Sequence, residues 1–379
     1  MEKTKNKLRI LVFCEFFYPH KNGVSEYIQN LSGNLMNKNL VEVTIVTYNN
    51  TNSKSQERYK GFKIIRVPCK SVLNGTYNFP VKGWKQISEK LKKENYDIVN
   101  THTRFFTMSY LGYKFAKKNN IRFVHTEHGA MFVPHPNPIV KTCARIYDEI
   151  LGRRVISKAD LVCCISKAGV KFVKKLGAKK TKVISNGISK DYEKLSKTQL
   201  ESLKKNFDSK KKNIVFVGRV VEAKGVRELI TALSEIDYDY HFHLIGDGNY
   251  LKECKLLAKE LKILKNITFY GSKDLTFIRN FLPLADIFVN PSYAEGLPTS
   301  VLEAGISGLN VIATDVGGTR EIIINNKTGF LIRPKSKEQI RIALNKIKDK
   351  NYSTELRKHI EKNFLWENIS NQYYELIKN

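Results

Sequence analysis

The sequence predicts an α/β protein built from two doubly wound parallel sheets, each covered by helices on both faces. Three observations predict it. Short β-branched runs alternate with amphipathic stretches along the chain, and the alternation restarts after a charged connector near its middle. The chain has 379 residues, 42% of them apolar, which is too long for one ordinary domain and rich enough for two cores. The same figures exclude disordered and disulfide-built classes.

In the first half, strands are expected at Leu8–Cys14, Val41–Thr47, Phe62–Val67, Asp97–Thr101, Arg122–Thr126, Leu161–Ile165 and Lys182–Ile184, with helices in the gaps. The N-terminal stretch is basic and then apolar, in the manner of a signal peptide. Glu15 interrupts the run and no small-residue cleavage site follows, so the stretch reads as a first strand. No window approaches the roughly 18 apolar residues that span a bilayer, which confines any membrane contact to the periphery. Ser189–Lys212 is charged and contains the run Ser209-Lys-Lys-Lys212, so it reads as a helical or loose connector. A second series of strands follows at Asn213–Gly218, His241–Ile245, Ile267–Tyr270, Ile287–Asn290, Val311–Ala313 and Phe330–Ile332. The expected domains are residues 1–190, completed by a C-terminal helix at about 362–379, and residues 191–361. Two such domains are expected to face an interdomain cleft, because open α/β sheets bind ligands at the carboxyl ends of their strands.

Lys plus Arg number 65 against 36 Asp plus Glu, a formal net charge of +29. Residues 1–190 hold 35 basic and 12 acidic side chains, and residues 191–379 hold 30 and 24. The coding bias of an A+T-rich genome would raise Lys in both halves alike, so it does not by itself explain the asymmetry. The six cysteines form no C-x-x-C pair and no spacing suited to structural zinc, which fits a reducing, cytosolic compartment.

The most informative stretch runs from Asn290 through Glu295-Gly-Leu-Pro-Thr-Ser-Val-Leu-Glu303 to Gly305. It leaves a buried strand, turns at Pro and Gly, and enters a helix whose first turn holds Pro298, Thr299 and Ser300. Free N–H groups and the helix dipole at such a start favour a phosphate. Glu295 on the loop and Glu303 about two turns into the helix could face one ligand from different heights, one toward a sugar and one toward a ribose. An isolated Glu-x7-Glu reads equally well as a cap and a solvated carboxylate.

With Val311-Ile-Ala-Thr-Asp-Val-Gly-Gly-Thr-Arg-Glu321 and Thr328-Gly-Phe-Leu331, this stretch resembles the donor-binding region of the family-4 glycosyltransferases, retaining enzymes of the GT-B fold with two Rossmann-like domains. The resemblance extends to Phe216-Val-Gly-Arg-Val-Val-Glu-Ala-Lys-Gly225, where it implies that Arg219 and Lys224 hold the donor diphosphate. A diphosphate bound without a metal needs fixed cations, and an Arg fork with a Lys point charge supplies them. Tyr18-Pro-His-Lys-Asn-Gly-Val24 stands where the family has a Gly-Gly pair at the donor. Asn22 replaces the first glycine and Gly23 remains. Thr126-Glu-His-Gly129 supplies His128 at the position of the family's sugar-contacting histidine. Val183-Ile-Ser-Asn-Gly-Ile188 is expected to make a tight turn at Asn186-Gly187, and the segment from Phe364 is similar to the family's closing helix. The implied catalytic set is His128, Glu295, Arg219 and Lys224. The implied donor contacts are Gly23, Asn186, Gly218, Arg219, Lys224, Gly246, Glu295, Gly296, Leu297, Pro298, Thr299 and Glu303, with no metal and no cofactor.

Other motifs are set aside. Asp237-Tyr-Asp239 precedes a strand and so lies at the wrong end of the sheet for a metal site facing the ligand. Gly246-Asp-Gly248 lacks the third glycine of a dinucleotide fingerprint and reads as a tight strand-to-helix turn. His125 and Glu127 share one strand face with His128 beyond its end, which is not zinc geometry, and the same holds with His135. The loop Met131–Pro138 follows His128 and is expected to be a mobile acceptor-side loop.

The resemblance implies a cytoplasmic, metal-independent hexosyltransferase. Its donor would be a UDP- or GDP-linked sugar and its acceptor a glycan or a lipid-linked molecule, in cell-surface polysaccharide or glycolipid synthesis. The basic first half would be the acceptor half, facing an acidic acceptor or an anionic membrane through amphipathic Pro80–Asn95 and Ile139–Lys158. Two other classes fit part of the sequence: a GT-B-like nucleotide-sugar epimerase and a noncatalytic polyanion binder. The Lys runs lack the aromatic interleaving of a nucleic-acid site.

Overall fold

A computed structural model describes residues 7–20, 22–72, 77–81, 83–132, 138–191 and 193–378. The chain divides into two compact units, Met1–Asn186 with Trp366–Asn379, and Gly187–Leu365. These boundaries fall within a few residues of 190 and 361.

Among its described residues the first unit carries nine strands: β1 (Leu8–Phe13), β2 (Val41–Asn49), β3 (Gln56–Tyr59), β4 (Phe62–Val72), β5 (Tyr77–Pro80), β6 (Ile98–His102), β7 (Arg122–Glu127), β8 (Leu161–Cys164) and β9 (Thr181–Val183). Their order is β3-β4-β2-β1-β6-β7-β8-β9, with β5 on β4. Because β1 lies between β2 and β6, the chain winds away from it on both sides, and the β1/β6 boundary is the topological switch point. β3 and β5 pair antiparallel with β4 in an otherwise parallel sheet, and neither is among the expected strands. Both are four residues long, and neither Gln-Glu-Arg-Tyr nor Tyr-Asn-Phe-Pro has the β-branched run that marks a buried strand.

The helix Gly23–Asn37 shows how this unit packs. Asn22 caps it, its Oδ1 accepting from the Ser25 amide at 2.9 Å while Ser25 Oγ accepts from the Asn22 amide at 3.0 Å. Tyr27, Ile28, Leu31 and Leu35 then recur at helical spacing and are buried. The closing helix Trp366–Ile377 packs on that same helix. Arg122 at the start of β7 ties it down by donating to the carbonyls of Ile377 and Leu376 at 2.7 and 3.0 Å.

The second unit carries a six-stranded parallel sheet of β10 (Lys212–Val217), β11 (Tyr240–Ile245), β12 (Ile267–Gly271), β13 (Ile287–Asn290), β14 (Asn310–Thr314) and β15 (Phe330–Ile332), in the order β12-β11-β10-β13-β14-β15. Here the switch point lies between β10 and β13. Ile214, Phe216, Leu244, Val289 and Ile312 fill its core against Leu229, Leu233, Ile340 and Leu344 from the covering helices. The charged connector contains one helix, Lys197–Lys204, started by a capping box between Ser196 and Gln199.

Of the two amphipathic candidates, the first is a helix only over Trp84–Lys92. The second is a helix Pro138–Tyr147 with no buried residue, continued by a π-helical turn Asp148–Gly152 and a helical turn Arg153–Ser157. No helix among the described residues is long and apolar enough to cross a membrane. Five residues of the loop expected at Met131–Pro138, numbers 133–137, lie outside the described residues, and His135 with them.

Candidate active site

In the second unit the loops after β10, β11, β13 and β14 interlock at the carboxyl edge of the sheet, largely through backbone. Gly225 closes the first of these loops in left-handed conformation (φ +65°), and a Cβ there would stand 2.2 Å from the Pro291 carbonyl oxygen. The Tyr293 amide donates to the Ala223 carbonyl at 2.8 Å, so the loops after β10 and β13 are joined. Gly246, at φ +148°, would place a Cβ 1.8 Å from the Gly218 carbonyl oxygen. Gly317 would place one 2.0 Å from the carbonyl of Glu295, and the neighbouring Gly318 amide donates to Gly296 at 2.7 Å.

This framework brings Lys224 and Glu295 together across the switch point, Nζ to Oε1 at 2.6 Å, with side chains 25% and 13% exposed. Arg219, on the same loop as Lys224, is exposed and has no side-chain partner among the described residues. The helix Thr299–Ile306 starts after Pro298 with no side-chain cap, leaving its first amides available to an anion above the loop. Two expectations are corrected here. Pro298 caps the helix and is not in its first turn, and Glu303 is the fifth residue, just over one turn in. The helix begins later than the Pro-Thr-Ser signal suggests because Pro298 (ψ 107°) still has extended backbone. Glu303 is half-buried, Leu297 is buried, and Gly218, Gly246 and Gly296 are partly exposed on the same edge.

Asp237 pairs with Lys348 at 3.3 Å ahead of the amino end of β11. Gly246 does turn the chain from β11 toward the helix Leu251–Glu260, accompanied by Gly248, whose Cβ would meet the Val220 carbonyl oxygen at 2.2 Å.

In the first unit one side chain links the helix that begins at Gly23 to His128 and to the segment just before Asn186. Tyr27, one turn after Gly23, is buried with its ring edge-to-face against His128 at 4.9 Å. Its hydroxyl donates to the Ile184 carbonyl at 3.1 Å, two residues before Asn186. The chain at Asn186-Gly187 forms no turn and runs on into a bridge between Ile188 and Leu365, which corrects the expected tight turn. A Cβ placed at Gly23 would meet no atom within 4 Å, so no protein group demands a glycine there.

His128 stands one residue beyond β7, partly exposed, with its Nε2 3.0 Å from Nδ1 of the buried His102. Burial lowers the His128 pKa to about 4, so the ring is neutral at physiological pH. Behind it lies a network that the sequence motifs do not single out. Arg104 is fully buried between Glu127 at 2.9 Å and Asp148 at 2.8 Å, and its guanidinium lies 4.5 Å from the Phe172 ring centroid. It also donates to the Met131 carbonyl at 3.1 Å, and Glu127 Oε1 accepts from the Gly129 amide at 2.8 Å, so the network grips both sides of the loop after His128. Burial opposes charge on Glu127, but Arg104, His125 and the Gly129 amide hold its pKa below the usual carboxylate range. At the end of β1, Glu15 accepts from Asn78 N and Nδ2 at 3.0 and 2.9 Å while its Oε2 is buried without a partner, and burial raises its pKa to about 7. The missed residues His102, Arg104 and Glu15 do share one signal: each stands at or just past the carboxyl end of an expected strand. Among the described residues no cluster of His, Cys, Asp and Glu is arranged to hold a metal.

Comparison with known proteins covers almost the whole chain. Residues 21–192 match the family Glycosyltransferase Family 4, and residues 198–364 match Glycosyl transferases group 1. An uncharacterized glycosyltransferase of Methanocaldococcus jannaschii is 28% identical over 98% of both chains. The phosphatidylinositol N-acetylglucosaminyltransferase GPI3 subunit of Saccharomyces cerevisiae is 24% identical over 98% of this chain and 82% of its own. The crystal structure of Anabaena HepE in complex with UDP superposes with a TM-score of 0.78 at 17% identity, covering 98% of this chain and all of that one, which shows the GT-B fold.

Proposed function

We propose, from the premise that this chain belongs to the GT-B glycosyltransferases of family 4 and group 1, that it moves a hexose-type sugar from a nucleotide diphosphate sugar to a glycan or lipid-linked acceptor, with retention of anomeric configuration. The observation that carries this reading is the meeting of Lys224 and Glu295 at the β10/β13 switch point. One supplies a cation for the diphosphate and the other an acceptor for sugar hydroxyls, at the place where open α/β sheets take their ligands. The UDP bound by Anabaena HepE supports a nucleotide donor, and the lipid acceptor named for the yeast relative supports a lipid-linked acceptor here.

As the glycosidic C–O bond breaks, the pair of electrons stays with the leaving diphosphate. Arg219, Lys224 and the uncapped amides at Thr299 stabilise that charge electrostatically, in place of a divalent cation. Glu295 is released from Lys224 as the phosphate takes over its partner, and is then free to accept hydrogen bonds from the sugar. The acceptor hydroxyl attacks the same face of the anomeric carbon and gives its proton to the departing phosphate. His128, neutral and polar, is the proposed sugar contact of the first unit.

Arg219→Ala or Lys224→Ala should lower turnover by about 10²–10³-fold with the circular-dichroism spectrum unchanged. Wild-type rates in both variants would overturn the assignment. Nucleotide release that requires acceptor as well as donor identifies transfer, an α-linked product from an α-linked donor identifies retention, and undiminished turnover in chelator identifies metal independence. A thermal-shift panel of UDP- and GDP-sugars identifies the donor.

The basic first unit is proposed to work in the cytoplasm, peripherally at an anionic membrane. Exposed Ile139, Ile146 and Ile150 on the helix and π-helical turn after residue 137, beside exposed Lys141 and Arg153, support it. Binding to anionic vesicles should weaken with salt. Absence of binding at low salt would place the acceptor in solution.

A further inference from the structure

We propose that His102 is a positioning residue for His128: it engages Nε2 of that ring, fixes its tautomer, and leaves Nδ1 as the nitrogen that meets the sugar. The inference rests on the sugar-contact role of His128 proposed above.

His102 is the last residue of β6 and His128 follows the last residue of β7, so the two adjacent parallel strands deliver both rings to one point. The rings are 5.3 Å apart at their centroids and tilted by 32°, with Nδ1 of His102 and Nε2 of His128 at 3.0 Å. His102 is 1% exposed, and the hydroxyl of Ser109 donates to its carbonyl at 2.8 Å, which pins the backbone. Tyr27 lies edge-to-face against both imidazoles, at 6.0 Å from His102 and 4.9 Å from His128, and its own hydroxyl is held by Ile184. Tyr27 thus packs against both rings.

A neutral imidazole has one donor and one acceptor nitrogen, so a hydrogen bond between two of them makes one ring the donor and the other the acceptor. Charging both is opposed by burial and by their mutual proximity. The remaining neighbours are already engaged. His125 holds Thr101 at 2.7 Å and Glu127 at 3.4 Å, and Glu127 holds Arg104 and the Gly129 amide. The proton in the His102–His128 contact therefore decides the state of His128 Nδ1. If His102 donates, Nδ1 of His128 carries a proton and donates to a sugar oxygen. If His128 donates, its Nδ1 is bare and accepts from a sugar hydroxyl. In either arrangement His128 cannot change tautomer unless His102 changes with it, whereas an unconstrained ring changes alone.

The test uses the full chain with ¹⁵N-labelled histidine, reading the ring-nitrogen shifts of His128 in the wild type, His102→Asn and His102→Phe, with steady-state kinetics on each. Asn can place an amide near the Nδ1 position, while Phe keeps the packing on Tyr27 and removes the hydrogen bond. The expected result is a single His128 tautomer in the wild type and in His102→Asn, and a mixture in His102→Phe. His102→Phe should lose about tenfold in kcat with donor KM nearly unchanged, and His102→Asn should recover most of it. A tautomer mixture in the wild type overturns the proposal even if the Phe variant does not fold. So does a His102→Asn variant as slow as His102→Phe. Wild-type turnover in His128→Ala would instead overturn the sugar-contact reading, which the spectra test separately from the pairing.

Discussion

The carboxyl edges of the two sheets are built from different materials. In the second unit, Gly225, Gly246, Gly248 and Gly317 each sit where a Cβ would strike a carbonyl oxygen at 2.2 Å or less, so the loops are held backbone to backbone and the charged side chains stand in front of them. In the first unit the corresponding edge is filled by titratable side chains. Glu15, His102, Arg104, His125 and Glu127 are all buried there, Arg104 and His125 against Glu127, His102 against His128 and Glu15 against Asn78. A backbone framework holds its shape whatever the protonation state and presents amides to an anion. A side-chain framework ties the shape of the first unit's edge to pH and to each partner being present. The fixed edge suits a constant group such as a diphosphate.

Three substitutions put that contrast to the test. The largest effect is expected for Arg104→Ala, which leaves Glu127 and Asp148 buried without their cation and should cost about 3–5 kcal/mol. Hydrogen exchange would show it as lost protection in β7, and protection unchanged there would mean that the network is not what holds this edge. Gly246→Ala should cost about 2–3 kcal/mol, since it combines an unfavourable φ with a collision against the Gly218 carbonyl. Its loss of protection should appear in β10 and β11 and leave the first unit unchanged.

The smallest effect is set by pH. The folded pKa of Glu15, about 7, lies above its ordinary value of 4.5, so its contribution is complete below pH 4.5 and is lost as pH rises through 7. Glu15→Gln should therefore stabilise the protein by about 2 kcal/mol at pH 8 and hardly at all at pH 5. Equal denaturation midpoints of variant and wild type at pH 8 would remove Glu15 from the account. His128 runs the other way: its folded pKa of about 4 lies below the ordinary 6.5, so its contribution is present above pH 6.5 and is lost toward pH 4. The two limbs oppose each other over about pH 4.5–6.5 and largely cancel there, so Glu15→Gln should unmask the His128 limb as stability that rises with pH across that window, while an edge of backbone contacts shows no such dependence.

The same contrast explains which features are legible before folding. Ile287–Asn290 and Phe330–Ile332 are strands at the expected residues because a short apolar run between turn residues is a local signal. Lys224 and Glu295 are identifiable because each stands inside a contiguous motif whose glycines must be where they are. β3 and β5 escape such a reading because pairing with β4, and not their own polar residues, makes them strands. Glu303 sits nearer the helix start than expected because that start depends on the conformation of Pro298.

The series of strands, the two-unit division and the loop that carries Glu295 are properties of consecutive residues, and local sequence is enough to specify them. Strand order belongs to the tertiary structure. Only when β6 lies beside β7 does His102 meet His128, and only when Asp148 folds back against β7 does Arg104 lie between two carboxylates. Those residues are 26 and 44 positions apart, and no periodicity connects them. The reason is physical: hydrogen bonding and side-chain period act over a few residues, whereas the pairing of parallel strands is selected by burial of the whole core.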